Sequence, residues 1–271
     1  MLDDKSFTVR NQGGIEWLAS HSLADKASCL RHYFLTRRGG VSEGAFADLN
    51  LGFGRGDKDG NVRENRGRVA RNLELPMEPL FLRQVHADKI IVVREGDTQA
   101  LLSAPPEADA YITALRGVPL MILTADCIPV IICDVRTPAL GVIHAGWRGT
   151  ALSIVWKTVI TMMDVYGTRP EDCMAAIGPG IGPKCYEVGE EVHDSFAAAF
   201  SYSDLLFSPA GERRWNVDLR EANRLQLMDA LLKPASVDVC GECTHCESAR
   251  FFSARRDGID SGRQGAVAML V

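Results

Sequence analysis

Three apolar runs separated by short polar breaks mark the middle of the chain. Leu120 to His144 reads LMILTADCIPVIICDVRTPALGVIH, interrupted first by Thr124-Ala125-Asp126-Cys127 and then by Val135-Arg136-Thr137-Pro138. Aliphatic, β-branched runs of this length between polar and Pro signals predict strands. A turn about the Arg136-Thr137 bond pairs residues whose numbers sum to 273, so Pro129 opposes His144 and Cys127 opposes Gly146.

Elsewhere the apolar period lengthens to that of helices. Asn61 is expected to open one, with Glu64 as its capping-box partner, Val62, Val69 and Leu73 near one face, Arg66 on the same helix and Pro76 closing it. Thr150 is the expected N-cap of a second helix through Leu152, Val155, Val159 and Met163, ending near Gly167. The turn-rich run Ile177 to Pro183 leads through Tyr186-Glu187-Val188 to a third, which includes Val192, Phe196 and Phe200. A final apolar strand follows Gly262-Arg263-Gln264-Gly265. No linker, charge block or fixed-period repeat divides the chain. One domain over residues 1–271 is expected, with residues 1–30 as a loose N-terminal arm.

Composition narrows the partners. The 271 residues are 46% hydrophobic and 24% charged, ordinary for a globular chain. A net charge of −5, from 30 basic against 35 acidic residues, gives no electrostatic reason to expect nucleic acid or an anionic membrane, so any anion must be held locally. Acidic residues in Met1-Leu2-Asp3-Asp4-Lys5 argue against an export signal. The most apolar stretch, near 118–133, is broken by Asp126 and too short to span a bilayer comfortably. Eight Cys is well below a disulfide scaffold, so a reduced cytoplasm is the expected compartment.

Candidate chemistry gathers at one end of the predicted hairpin. Cys127 and His144 share that end and, because alternate strand residues point the same way, one face, offset by roughly 7 Å along the strand. Cys127 alone would read as a small buried apolar residue. A second His, His86 in Leu82-Arg83-Gln84-Val85-His86, lies in a separate run that spacing does not place. One thiolate and two imidazoles with an open fourth position make the catalytic rather than the structural kind of Zn²⁺ site. Beyond His144, the run Ala145-Gly146-Trp147-Arg148-Gly149-Thr150 puts unpaired N–H groups and Arg148 where an oxyanion can settle. Basic residues beside Gly turns in Arg250 to Asp257 and Gly262-Arg263 suit a phosphate or ribose. Cys240, Cys243 and Cys246 have the C-x₂-C-x₂-C spacing of a metal knuckle, but no matching pair lies at the second distance a structural site requires, so they read as free thiols or a strand turn. His21, His32 and His193 sit in ordinary polar or helical settings.

The motifs Arg83-Gln84-Val85-His86, Thr124-Ala125-Asp126-Cys127-Ile128-Pro129-Val130, His144-Ala145-Gly146-Trp147-Arg148-Gly149 and Ile177-Gly178-Pro179, in this order, resemble the laccase-domain family, also called the multicopper polyphenol oxidase or peptidoglycan-editing factor family. Thr36-Arg37 with Gly39-Gly40-Val41-Ser42, Leu49-Asn50-Leu51-Gly52, Glu64-Asn65-Arg66, Phe252-Ser253, Arg255-Arg256-Asp257 and Gly262-Arg263 extend the likeness over residues 36–263. The resemblance implies an α+β fold of two packed mixed β-sheets flanked by helices, a four-layer α/β/β/α sandwich. It also implies a purine nucleoside phosphorylase of wide base tolerance, acting with phosphate on adenosine, inosine, guanosine and methylthioadenosine, that can deaminate adenosine. His86, Cys127 and His144 match the family's Zn²⁺ ligands. Ala254 stands where the family usually has Tyr, and Ala87 where Gly is common, departures that bear on substrate lining and not on the metal.

For that chemistry Arg66, Arg148 or Arg37 would hold phosphate, Asn50 and Ser253 would contact ribose or base, and Asp126 is the nearest carboxylate to move a proton. No obligate protein partner is evident. A multicopper oxidase needs many imidazoles, whereas this chain has six His, two of them in the convincing site. Copper can still compete for the site, since Cu²⁺ generally outcompetes Zn²⁺ for N and S ligands. Three further readings stand beside the phosphorylase: a metal-independent cysteine hydrolase with Cys127 as nucleophile and His144 or His86 as base, a peptidoglycan-precursor editing enzyme, and a module whose metal only stabilises the fold. The open ligand position and the nearby arginines argue against the last.

Overall fold

The computed structural model describes residues 6–271. Met1 to Lys5, the segment whose composition argues against an export signal, lies outside them. Two six-stranded mixed sheets make up most of the molecule. The first runs β1 (Phe7–Gln12), β2 (Ile15–Ser20), β3 (Leu30–Leu35), β15 (Gln264–Leu270), β7 (Leu120–Thr124), β4 (Leu80–Phe81). The second runs β14 (Val237–Val239), β10 (Cys173–Ile177), β8 (Ile128–Asp134), β9 (Ala139–Ala145), β6 (Ala110–Thr113), β5 (Ile90–Val93). A small sheet of β11 (Glu187–Val188), β13 (Arg214–Val217) and β12 (Phe207–Gly211) lies beside them.

Alternation along the strands sets the layers. Leu18, Phe34, Leu120, Ile122, Ala266 and Ala268 of the first sheet pack against Tyr111, Ile131, Cys133, Leu140 and Val142 of the second, all essentially shielded from water. The opposite face of the first sheet, with Trp17, Leu35, Met121 and Val267, receives Val69 and Leu73 from a helix. The opposite face of the second, with Ile112, Val130, Ile132 and Ile143, receives Val155, Val159, Phe196, Ala222 and Leu227 from others. The result is the α/β/β/α sandwich. Each Val, Leu, Ile or Phe side chain buried this way contributes about 1.5–3 kcal/mol relative to exposure.

The α-helices of the described residues are α1 (His21–Lys26), α2 (Asp59–Asn72), α3 (Thr98–Ser103), α4 (Trp147–Ala151), α5 (Ile154–Tyr166), α6 (Glu190–Ala199), α7 (Leu219–Asp229) and α8 (Ala254–Asp257). Three local expectations are corrected. Residues 7–26 are not a loose arm: β1, β2 and α1 are part of the sandwich, with Ile15 and Leu23 fully buried, because β2 pairs with β3 and completes the apolar face. The helix carrying Arg66 begins at Asp59, and Lys58 at its N-cap makes no side-chain bond, while Glu64 pairs with Arg68 and Arg71, so there is no capping box. Thr150 does not cap α5. It lies inside the short α4, bonded to Asn223, and Ser153 in the left-handed region separates the two helices. Gly167 ends α5 with a φ of 67°, where a side chain would be strained.

Candidate metal centre and its cleft

Cys127 lies where the chain passes from β7 of the first sheet to β8 of the second. β8 and β9 pair antiparallel over seven residue pairs, Pro129 opposite His144, the register predicted by a turn about Arg136-Thr137. His144 therefore stands at the end of β9 on the face turned toward the other sheet, next to Cys127. His86 arrives from the segment after β4, its backbone in the left-handed region with a φ of 58°. The ligand atoms of His86, Cys127 and His144 all lie within 4.8 Å of one another. The two rings stand edge to face, centroids 4.9 Å apart. At Gly146 a Cβ would come within 2.9 Å of the His86 ring and 3.1 Å of the Cys127 sulfur, so only glycine leaves the trio room.

One carboxylate, absent from the sequence-based set, organises this centre. Asp109 is completely buried and its Oδ1 lies 2.8 Å from His144 Nδ1. The same carboxylate accepts backbone N–H bonds from Val85 (3.2 Å), His86 (3.0 Å) and Ala87 (2.8 Å). It thus fixes the ring of one ligand and the backbone of another. With Nδ1 engaged, Nε2 of His144 faces the sulfur, the arrangement in which an outer carboxylate orients a metal-binding imidazole. Burial opposes charge on Asp109, but the bonds from His144, Ala87 and His86 hold it below the usual carboxylate range. A single acidic residue inside the apolar run Ala108-Asp109-Ala110-Tyr111 is the sequence signal that marks it.

Burial also works against a thiolate at Cys127, yet the neighbouring His144 and the hydrogen bonds from His144 and His86 outweigh it and bring the thiol down to about 6. Burial likewise opposes charge on His144, while Cys127 and Asp109 together raise it to about 9. A soft, anionic sulfur and two imidazoles, one of them pre-oriented, fit a Zn²⁺ or Cu²⁺ ion.

The trio lines a cleft of about 860 Å³. Six arginines line it: Arg55, Arg66, Arg83, Arg148, Arg255 and Arg263. Three of them lie on aromatic shelves. Arg66 stands over Phe81 at 3.6 Å, Arg148 over Trp147 at 4.3 Å and Arg255 over Tyr186 at 4.9 Å. Stacking of this kind holds a guanidinium in place before an anion arrives. Arg66 also donates from Nε and Nη2 to the Leu51 carbonyl, and burial lowers its pKa to about 10. Arg148 is more exposed and reaches Glu191 at 3.3 Å. Arg83 is paired with Glu107. Arg55 has no hydrogen-bond or ion-pair partner among the described residues, and nothing in its sequence context distinguishes it.

Four expected site residues have other attachments. Asp126 lines the cleft, but its Oδ1 accepts from the Thr244 hydroxyl at 2.6 Å and its Oδ2 from the Arg255 N–H at 2.7 Å, so it clamps two segments and is not a free proton carrier. Arg37 donates to the carbonyls of Ala47 and Ser248, stacks on Phe252, and does not line the cleft. Asn50 is fully buried, its amide engaged with Gly52, Asp57 and Arg263. Ser253 is also buried and caps α8 by accepting from Arg256 N–H. Each of the last three holds a loop together instead of facing a substrate.

Comparison with known proteins decides the lineage. Residues 31–271 match the family described as multi-copper polyphenol oxidoreductase laccase. The chain belongs to this family. Among its relatives, a purine nucleoside phosphorylase of Bacteroides thetaiotaomicron is 36% identical, the match covering 92% of this chain and 93% of that one. A protein named adenosine deaminase RL5, from an unknown prokaryotic organism, is 35% identical over 85% of this chain and 90% of its own. The crystal structure of YlmD from Geobacillus stearothermophilus superposes with a TM-score of 0.88 at 35% identity, covering 98% of each chain. The family's laccase label and the relatives' nucleoside names point to different chemistry, and the three-ligand centre beside an arginine-lined cleft bears on that difference. No helix among the described residues is long and apolar enough to cross a membrane.

Proposed function

We propose that this chain is a zinc-dependent purine nucleoside phosphorylase that cleaves adenosine, inosine, guanosine and methylthioadenosine with phosphate, and that the same centre deaminates adenosine. One observation carries the reading: His86, Cys127 and His144 converge in a cleft lined by six arginines, three of them lying on aromatic rings. An oxidase with several copper centres would need further imidazole clusters. The other three-residue ligand cluster among the described residues is made of cysteines.

In phosphorolysis a phosphate oxygen bonds to the ribose anomeric carbon as the carbon–nitrogen bond breaks, its electron pair and a proton going to the purine. The chain's part is to hold the phosphate and orient the sugar. Arg66 retains free donors beyond those given to Leu51, Arg55 is uncommitted, and Arg148 lies at the start of α4 beside His144, so these three are the assigned anion holders. Because stacking fixes Arg66 and Arg148 in advance, little ordering remains when the anion binds. When bound, a divalent ion at His86, Cys127 and His144 supplies Lewis-acid polarisation and activates water. Deamination exchanges the purine amine for water oxygen and releases ammonia without phosphate. Asp126, held by Thr244 and Arg255, ties two segments of the cleft lining together.

The lowered thiol of Cys127 beside His144 also supports the metal-independent cysteine hydrolase, and metal content separates the two. The test is metal-replete protein incubated with adenosine, with and without phosphate, and the products separated. Adenine and ribose 1-phosphate appearing only with phosphate are expected, with inosine in its absence. Full turnover in metal-free protein, or no nucleoside conversion in metal-replete protein, overturns the reading.

A further inference from the structure

A second sulfur cluster lies away from the cleft. Cys185 ends the turn Pro183–Cys185, and Cys243 and Cys246 lie in the loop after β14. The three sulfurs lie within 4.8 Å of one another, with Cys185 and Cys246 only 3.4 Å apart. That is far longer than a bonded pair of about 2.05 Å. It is close to the separation of about 3.8 Å between two sulfurs bound to one tetrahedral ion at about 2.3 Å each. None of the three lines the cleft.

The surrounding backbone is built toward these sulfurs. The Cys243 sulfur accepts the Gly182 N–H at 3.1 Å. An N–H donor on the sulfur holds it in place as outer hydrogen bonds hold metal ligands generally. Thr244 N–H bonds to the Gly180 carbonyl at 3.1 Å, and Gly180 bridges to Cys243, so the 243–246 turn and the glycine-rich 180–185 segment meet along their backbones. This contact supplies the third ligand that the C-x₂-C spacing of Cys243 and Cys246 lacks.

We propose that Cys185, Cys243 and Cys246 bind one thiophilic d¹⁰ metal ion, with water in the fourth position, at a site separate from the cleft. Softness selects the class of ion: an all-sulfur set takes Zn²⁺ or Cu⁺ and not Mg²⁺ or Ca²⁺. The ion would tie together two segments of the cleft wall, since Tyr186 follows Cys185 directly and Thr244, between the other two ligands, donates to Asp126.

The experiment is metal counting on the full chain, loaded with Zn²⁺ and freed of excess by gel filtration. Wild type should hold two ions per chain. Cys127→Ala should keep one, and Cys243→Ser with Cys246→Ser should also keep one. In the Cys127→Ala protein, Co²⁺ in place of Zn²⁺ should give strong sulfur-to-cobalt absorption in the near ultraviolet, which only a thiolate site produces once Cys127 is gone. If the double Ser variant does not fold, the Cys127→Ala count and its cobalt spectrum still decide. A Cys127→Ala protein that retains no metal, or retains it without thiolate absorption, overturns the proposal. So does a Cys185–Cys246 disulfide found by peptide mass spectrometry in the protein as purified.

Discussion

Two trios of ligating side chains in this molecule have the same reach, every ligand atom within 4.8 Å of its partners, and almost nothing else in common. His86, Cys127 and His144 combine two imidazoles with one sulfur, are organised by the buried Asp109, and face a cleft lined by six arginines. Cys185, Cys243 and Cys246 are all sulfur, one of them accepts the Gly182 N–H, and none lines that cleft. Ligand spacing alone does not separate a catalytic from a structural centre. What the centre faces, and which groups orient it, does.

The sharpest way to break the comparison is to remove a ligand from each trio. Cys127→Ala or His144→Ala should lower nucleoside turnover by about a thousandfold or more, the several kcal/mol expected of Lewis-acid assistance, with cooperative unfolding retained. Turnover near wild type in metal-free Cys127→Ala protein would remove the first trio from the chemistry and the cysteine-nucleophile reading with it.

Asp109→Asn tests the organising group. The side chain keeps its size but loses its charge, and metal affinity or turnover should fall about 10–100-fold, in the range of outer-carboxylate losses. Equilibrium Zn²⁺ titration separates positioning from misfolding, because the second trio's ion should stay bound. An unchanged affinity at the first trio would make Asp109 merely a loop anchor.

Arg66→Met and Arg55→Met probe the cleft. Each removes a charge-assisted bond of about 1.5 kcal/mol, so the phosphate KM should rise about tenfold while phosphate-independent deamination of adenosine is spared. Arg148→Met should do less, because its guanidinium is exposed and shared with Glu191. Phosphate dependence unchanged in all three would move the anion elsewhere.

The smallest effect concerns the sulfurs in metal-free protein. Cys127, brought down to about 6, should be alkylated readily at neutral pH. At Cys185 burial first, and then the neighbouring Cys246 and Cys243, push the thiol up to about 12, so it should resist. Labelled-peptide mass spectrometry between pH 6 and 9 reads both, and equal labelling rates would erase the electrostatic contrast. A bound cation takes up the lone pairs that alkylation needs, so Zn²⁺ should protect Cys127 and the three sulfurs of the second trio.

Local pattern carried some of this and long-range pairing carried the rest. The β8–β9 register was legible because two continuous apolar runs flank one short polar turn, and a turn about Arg136-Thr137 leaves one pairing. The strand status of residues 7–20 was not, since β1 is mostly exposed and β2 owes its order to β3, which in turn pairs with β15 more than 200 residues away. Asp109 was available as a lone acid in an apolar run. The partnership of Cys185 with Cys243 and Cys246 was hidden by the residues between them. Arg37, Asn50 and Ser253 carry family-like motifs, but their polar atoms are consumed inside the protein, a commitment that a motif does not display.

The passage of the chain from β7 to β8 has a thermodynamic consequence. His86 follows a strand of the first sheet, His144 ends a strand of the second, and Cys127 lies on the crossing between them, so an ion bound by all three joins the two halves of the sandwich at one edge. Binding that requires the folded arrangement raises stability by RT ln(1 + [M]/Kd), about 2.7 kcal/mol when free metal is a hundred times Kd. The melting temperature of this protein would then act as a gauge of how fully the His86, Cys127 and His144 centre is loaded, falling with chelation even though no residue of the hydrophobic layers has changed.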